Sequence, residues 1–143
     1  MVKLKIHKFN LECENDCIIL GVSSGFADYR LAWEINRALN INLLLGEQTL
    51  DVFDKKNNSV VPFRTHSCFI EETMTSFILI KNKQNNTFLV VDKPQIDYYL
   101  FLKDLYEYEL NDIIQKLRNI NGMSAVFDLS DDYIEAIEYL NFN

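Results

Sequence analysis

The chain opens on an alternation. Val2, Leu4 and Ile6 stand between Lys3, Lys5 and His7, the period of two that a half-buried strand leaves in a sequence. Residues 12–16 are polar and predict a turn. Cys17 to Val22 is then apolar without a break, as in a strand covered on both faces, and the pattern predicts a hairpin between it and the first strand. Ser23-Ser24-Gly25 ends that run. From Ala27 to Asn40 the period changes to that of a helix, with Leu31, Ile35, Ala38 and Leu39 in one apolar stripe. Ser24 or Asp28 is the expected cap of this helix, and Asp28 also suits the positive end of its dipole. Arg30 and Glu34 lie one turn apart on the polar side.

Extended segments and turns follow. Residues 41–54 read as extended through Leu43-Leu44-Leu45 and Leu50-Asp51-Val52-Phe53, and residues 55–58 as a turn in which Asn suits a positive φ. Ser59 to Ile70 is a strand region interrupted near Pro62, which lacks a ladder donor and belongs on an edge or bulge. Thr75–Lys81 and Thr87–Asp92 predict a hairpin around residues 82–86. Ile96 to Lys103 is a further strand, with Ile96, Tyr98, Leu100 and Leu102 expected on one face. Tyr106, Leu110, Ile113, Ile114 and Leu117 predict a second helix, with Gly122 as its C-terminal glycine. Met123 to Leu129 is a short strand. Ser130 then caps a last helix whose buried side is Tyr133, Ile134, Ile137 and Leu140. This order predicts an α+β fold: a central, mainly antiparallel sheet of five to seven strands with about three helices, residues 1–143 forming a single domain. The element order alone is similar to that of longin- and profilin-like domains.

Composition narrows the classes. Hydrophobic residues make up 48% of the 143 positions, enough for a real core, and Gly and Pro are too few for low-complexity linkers. The longest apolar runs fall far short of the ~20 residues of a membrane span. The alternating start lacks a signal-peptide core, so a cytoplasmic location is expected. The formal charge of −7 is unevenly placed: residues 1–96 carry eleven acids and eleven bases, residues 97–143 ten acids and three bases. No basic track exists to bind nucleic acid, and none is expected to bind. The acidic third reads either as a surface for a basic protein partner or as a solvated face that keeps the protein soluble.

The candidate chemistry is sparse. Cys13 and Cys17 with His66 and Cys68 supply four zinc-type ligands, but Cys17 opens an apolar strand and the spacing lacks a knuckle; no metal centre is expected, and the cysteines read as small hydrophobes. Gly21-Val22-Ser23-Ser24-Gly25 fits G-x-S-x-G between strand and helix, yet a Ser hydrolase needs a late His, whereas the only downstream one is His66, mid-strand. A strand-to-helix turn is the expected use. No phosphate-binding glycine loop and no paired-carboxylate site is present, so neither a cofactor nor a catalytic residue is assigned. The unusual cluster is Asp28-Tyr29-Arg30-Leu31-Ala32-Trp33-Glu34-Ile35-Asn36, which sets Arg30, Trp33 and Arg37 near one another, away from the Leu31/Ile35 stripe. Trp and Arg are the residues of binding hot spots. The other reading buries Trp33 under a second layer and pairs Arg30 with an acid.

The same segment carries a resemblance. Ser23-Ser24, then Asp28-Tyr29-Arg30-Leu31-Ala32-Trp33, Asn36 and Ala38-Leu39, resembles the early block of the IPExxxVDY family, small bacterial proteins without an established function. The naming motif is similar to Val90-Val91-Asp92-Lys93-Pro94-Gln95-Ile96-Asp97-Tyr98: Val90 matches Ile, Asp92 replaces Glu, and Asp97-Tyr98 matches the final pair, while Val91 stands where the family has Pro and Pro94 falls among the variable three. Leu140-Asn141-Phe142 resembles the family's apolar end. The resemblance implies a cytosolic stand-alone domain and brings no activity, cofactor or catalytic residue with it.

Two functions follow as expectations. The first is a non-catalytic binding or adaptor protein acting through protein contacts, with an unidentified protein partner or a second copy of the chain in a homodimer. The second is a small-molecule binder or enzyme with its site between helix 27–40 and the Asp97-Tyr98 strand. The candidate binding residues are Asp28, Tyr29, Arg30, Trp33, Asn36, Arg37, Asp92, Asp97 and Tyr98. A polar link from Arg30 to Asp97 or Asp92 is expected to join the two blocks.

Overall fold

A computed structural model of the chain describes residues 17–130. In chain order these form β1 (Cys17–Ser24), α1 (Asp28–Leu39), β2 (Leu44–Leu45), β3 (Leu50–Asp54), β4 (Ser59–Phe63), β5 (Thr65–Ile70), β6 (Thr75–Lys81), β7 (Lys83–Gln84), β8 (Thr87–Phe88), β9 (Tyr98–Lys103), α2 (Leu110–Arg118) and β10 (Met123–Asp128). The main sheet has six strands in the order β10-β1-β9-β6-β5-β2, and every pairing in it is antiparallel. The α+β architecture therefore stands, with two helices among the described residues. The strand expected at 2–6 and the helix expected after Ser130 lie outside them. Also among the described residues, no helix is long and apolar enough to cross a membrane.

Alternation on the central strands builds two cores. Leu20, Val22, Phe77, Leu79, Tyr98, Leu100 and Leu102 point to one face, where Leu31, Ile35 and Leu39 of α1 and Ile113, Ile114 and Leu117 of α2 cover them. The helical stripes predicted this packing, since an amphipathic helix must bury its apolar face. Ile19, Ile78, Ile80, Tyr99 and Phe101 point to the other face, where Leu50, Val61 and Phe63 of the β3–β4 ribbon lie on them. Both faces of β6 and β9 are thus buried, which is why these strands are apolar almost throughout.

Several expectations give way to the pairing. β1 lies between β9 and β10, both antiparallel to it, and the hairpin partner expected at residues 2–7 falls outside the described residues. Pro62 does not interrupt its strand. It pairs with Asp51 in a two-stranded ribbon, where a missing donor is cheap, and the break falls at Arg64. Thr87–Asp92 is not the partner of β6; only Thr87–Phe88 is extended, against β7, and β6 pairs with β5 and β9. The cause is Asn82. Its buried side chain accepts from Val90 N–H at 2.8 Å and donates to Lys93 O at 3.0 Å and Ile96 O at 2.9 Å, winding residues 89–97 around itself. Ile96 consequently joins the core of Tyr99 and Phe101 rather than that of Tyr98.

The helix ends also differ. Ala27, not Ser24 or Asp28, is the N-cap of α1, and Asn40 closes the helix in the left-handed region. α2 begins at Leu110, leaving Tyr106 exposed, because the chain first turns at Asp104 with φ 60. Gly122 does not cap α2, whose C-cap is Asn119. It serves the turn closed by Met123 N–H on Ile120 O, at φ 101 and with the Phe26 ring where a side chain would go.

Candidate functional site

The first turn of α1 is anchored at one end of the sheet. Asp28 is nearly buried, its Oδ1 accepting from Tyr29 N–H at 2.8 Å and its Oδ2 pairing with Arg64 at 3.1 Å. The carboxylate thereby satisfies one of the donors a helix start leaves open. Below it, the Tyr98 hydroxyl donates to Phe26 O at 2.5 Å. Burial first, and then the negative charges of Asp28 and Asp97, together push the Tyr98 hydroxyl up to about 12, with Arg64 opposing them. Asp97 accepts from Ser24 N–H at 2.9 Å and so pins the exit of β1. His66, on β5 and 7% exposed, stands within electrostatic reach of Asp28 and Arg64. Burial lowers its pKa below the usual 6.5, Asp28 opposes this, and Arg64 adds to it.

Three predicted residues, Asp28, Asp97 and Tyr98, therefore meet at this end, together with Arg64, His66 and Ser24, which the pattern did not single out for it. His66 stood out in sequence only as a zinc-type ligand. Arg64 carried no signal beyond lying at the end of an apolar strand. Their proximity to Asp28 comes from β5 running beside β6, a pairing no local pattern encodes. The groups are largely matched to one another, which makes the cluster an anchor for α1 against the sheet.

The outward face of α1 is different. Tyr29 is 73% exposed and Trp33 49% exposed. The Arg30 guanidinium lies 5.3 Å from the Phe26 ring centre and 5.4 Å from that of Trp33, and the Arg37 guanidinium lies 4.8 Å from Trp33 on the following turn. Positions 26, 30, 33 and 37 are spaced by three and four, so a single helix face stacks ring on guanidinium on ring on guanidinium. Arg30 also donates to Glu34 at 2.9 Å. The expected link from Arg30 to Asp97 or Asp92 is thus not made: Glu34 is one turn away on the same helix, whereas Asp97 is engaged with Ser24. Asn36 faces the chain that leaves α1, accepting from Leu43 N–H at 2.7 Å and donating to Leu43 O at 3.1 Å. Asp92 lies exposed in the segment wound around Asn82, away from this ladder of rings and guanidinium groups.

The remaining features place no reaction. Ser23 donates to Gln95 O at 3.1 Å, while the Ser24 hydroxyl donates to Gly122 O at 3.2 Å and accepts from Phe26 N–H. Gly21–Ser24 of the G-x-S-x-G segment are the end of β1 and only Gly25 lies in the connection to α1, with Ser24 tying this strand end to the turn before β10. Cys17 packs in the core beneath the β3–β4 ribbon and Cys68 in the one beneath the helices, so the sheet separates them; Cys13 lies outside the described residues. Burial raises the Cys68 thiol, against a backbone hydrogen bond from Asn42. A cleft of about 380 Å³ runs between residues 52–57 of the ribbon and residues 86–91. At its mouth Asp54 is held below the usual carboxylate range, chiefly by the Asn57 amide. A second cleft of about 330 Å³ touches Lys81, Lys83, Phe88, Pro94, Ile96 and Asp97. Neither is lined by Asp28 or Arg30. No protein-family model matches the chain, and no curated protein is significantly similar to it.

Proposed function

We propose that the protein is a non-catalytic binding or adaptor module that docks another protein on the outward face of α1. The observation that carries this reading is Trp33, half exposed and held between two guanidinium groups on a face with Tyr29. A Trp serving only the fold is normally far better covered. Trp, Tyr and Arg are the side chains that dominate binding energy, and here cation–π stacking orders them in advance, which lowers the entropic cost of docking. Tyr29, Arg30, Trp33 and Arg37 make the contacts; Asp28, Asp97, Tyr98 and Asn36 hold the helix that presents them. The second reading, a ligand site between α1 and the Asp97-Tyr98 strand, has less support, because the polar groups there are matched among themselves. The module belongs in the cytoplasm, resembles the IPExxxVDY proteins, and takes a protein rather than a nucleic acid.

The test is affinity capture with the intact protein and with Trp33→Ala. Proteins retained by the first and lost by the second, with the variant still folded by circular dichroism, support the reading. An unchanged set contradicts it. Size-exclusion chromatography separates a second copy of the chain from a different partner.

A further inference from the structure

The ladder on α1 is asymmetric in charge. Arg30 has Glu34 at 2.9 Å, whereas Arg37 has no carboxylate within ion-pair distance among the described residues. The acids of the helical layer that form ion pairs are satisfied: Asp28 by Arg64, Glu34 by Arg30, and Asp112 by Lys116 at 3.0 Å. Arg37 is therefore a surplus cation on this face, although the whole chain carries −7. A guanidinium carries its N–H donors in one plane, as a fork matched to a carboxylate. With its guanidinium carbon 4.8 Å from the Trp33 ring centre, Arg37 is partly held by the ring, which limits the orientations it must give up on binding.

Resting on the docking role of this face, we infer that its partner is an acidic peptide segment, with an Asp or Glu carboxylate seated on the fork of Arg37 and an apolar side chain lying on Trp33 and Tyr29. Two features favour this chemistry over a basic segment: the unpaired fork would repel a second cation, and the one partly exposed acid on the face, Glu34, is already engaged. A nucleic-acid strand also carries anions and bases that stack, but it needs a run of cations along its backbone. Here the ladder offers Arg37 and an already paired Arg30.

Trp33 is the only Trp in the chain, so its fluorescence reports on this face alone. The intact protein is titrated at low ionic strength with three probes: a Glu-rich peptide carrying a central Leu, a Lys-rich peptide of equal length, and a single-stranded oligonucleotide. The Glu-rich peptide should shift Trp33 emission saturably, and salt should weaken it. Arg37→Ala should raise its dissociation constant at least about tenfold and Arg37→Lys by less, since Lys keeps the charge and loses the fork. Lys116→Ala, which alters a charge on α2, should leave it unchanged. An absent response to the Glu-rich peptide, equal affinity for Arg37→Ala, or tighter binding of the oligonucleotide would overturn the inference. A response to the Lys-rich peptide alone overturns the charge preference and leaves the docking face standing. If no probe perturbs Trp33 and Trp33→Ala captures the same proteins, both fall. A dimer of the free protein that Trp33→Ala dissolves would assign the face to a second copy and overturn the inference as well.

Discussion

Replacing Asn82 by Ala removes the group that organises residues 89–97. Asn82 is 1% exposed, and its amide makes three hydrogen bonds, with Val90 N–H and with the carbonyls of Lys93 and Ile96. Its main chain adds two more links, donating to Asp97 O at 2.8 Å and accepting from Leu89 N–H at 2.6 Å, and these survive the substitution. Three side-chain bonds at about 1 kcal/mol net each give a loss of about 3 kcal/mol, and the backbone groups left without partners push the figure upward. In urea the midpoint should fall by roughly 1–2 M with an unchanged slope. Asn82→Asp sharpens the assignment: it keeps an acceptor for Val90 N–H but turns a carboxylate toward two carbonyl oxygens, and should be no more stable than Asn82→Ala. Amide hydrogen exchange locates the damage, with Val90 N–H losing protection before the amides of β6. Because this segment delivers Asp97 to Ser24 N–H, the entry to α1 should loosen next. A loss below about 1 kcal/mol, or protection lost uniformly across the sheet, would refute the reasoning.

Three further outcomes follow from the same geometry. Gly122→Ala should destabilise by more than the ~1 kcal/mol of an ordinary glycine substitution, since its φ of 101 is strained for Ala and the Phe26 ring occupies the space; thermal unfolding reads it, and a neutral result would contradict the packing. His66 is held below its usual 6.5, so the unfolded chain binds the proton first; the stability it contributes is complete above 6.5 and declines as pH falls from there, and His66→Gln should flatten the dependence of stability on pH below 6.5. Tyr98 is raised from 10.0 to about 12, so its contribution is complete below 10 and is lost as pH rises from 10 toward 12; Tyr98→Phe should remove that alkaline decline at a cost of about 1 kcal/mol for the bond to Phe26 O, and an unaltered decline would place its origin elsewhere.

Much of the fold was legible where periodicity and burial coincide. The Leu31/Ile35/Leu39 stripe, the two-faced apolar strands and the asparagine turn ending at Asn58, with φ 48, are all local signals, and each element lies where they point. Local pattern failed where a distant side chain decides. Thr87 to Asp92 is apolar enough for a strand, and nothing within it announces that Asn82 has taken its hydrogen bonds. Pro62 reads as a break because sequence does not say that its strand lies in a ribbon with a free edge. In the site, the helix spacing placed Arg30, Trp33 and Arg37 side by side, since three and four residues apart is a short-range rule. It did not place Arg64 and His66 beside Asp28, nor Asp97 beneath Ser24, because those contacts follow from strand order. The partner of Arg30 was open to either rule, and the helical neighbour Glu34 took it.

The docking role of α1 is tested most directly by photo-cross-linking from the position of Trp33. A benzophenone amino acid is placed there in the intact chain, and a second preparation carries it at Lys116, exposed on α2. On irradiation in the cell, position 33 should give one discrete heavier adduct and position 116 none. No adduct at 33, or the same ladder of adducts from both positions, would contradict the account.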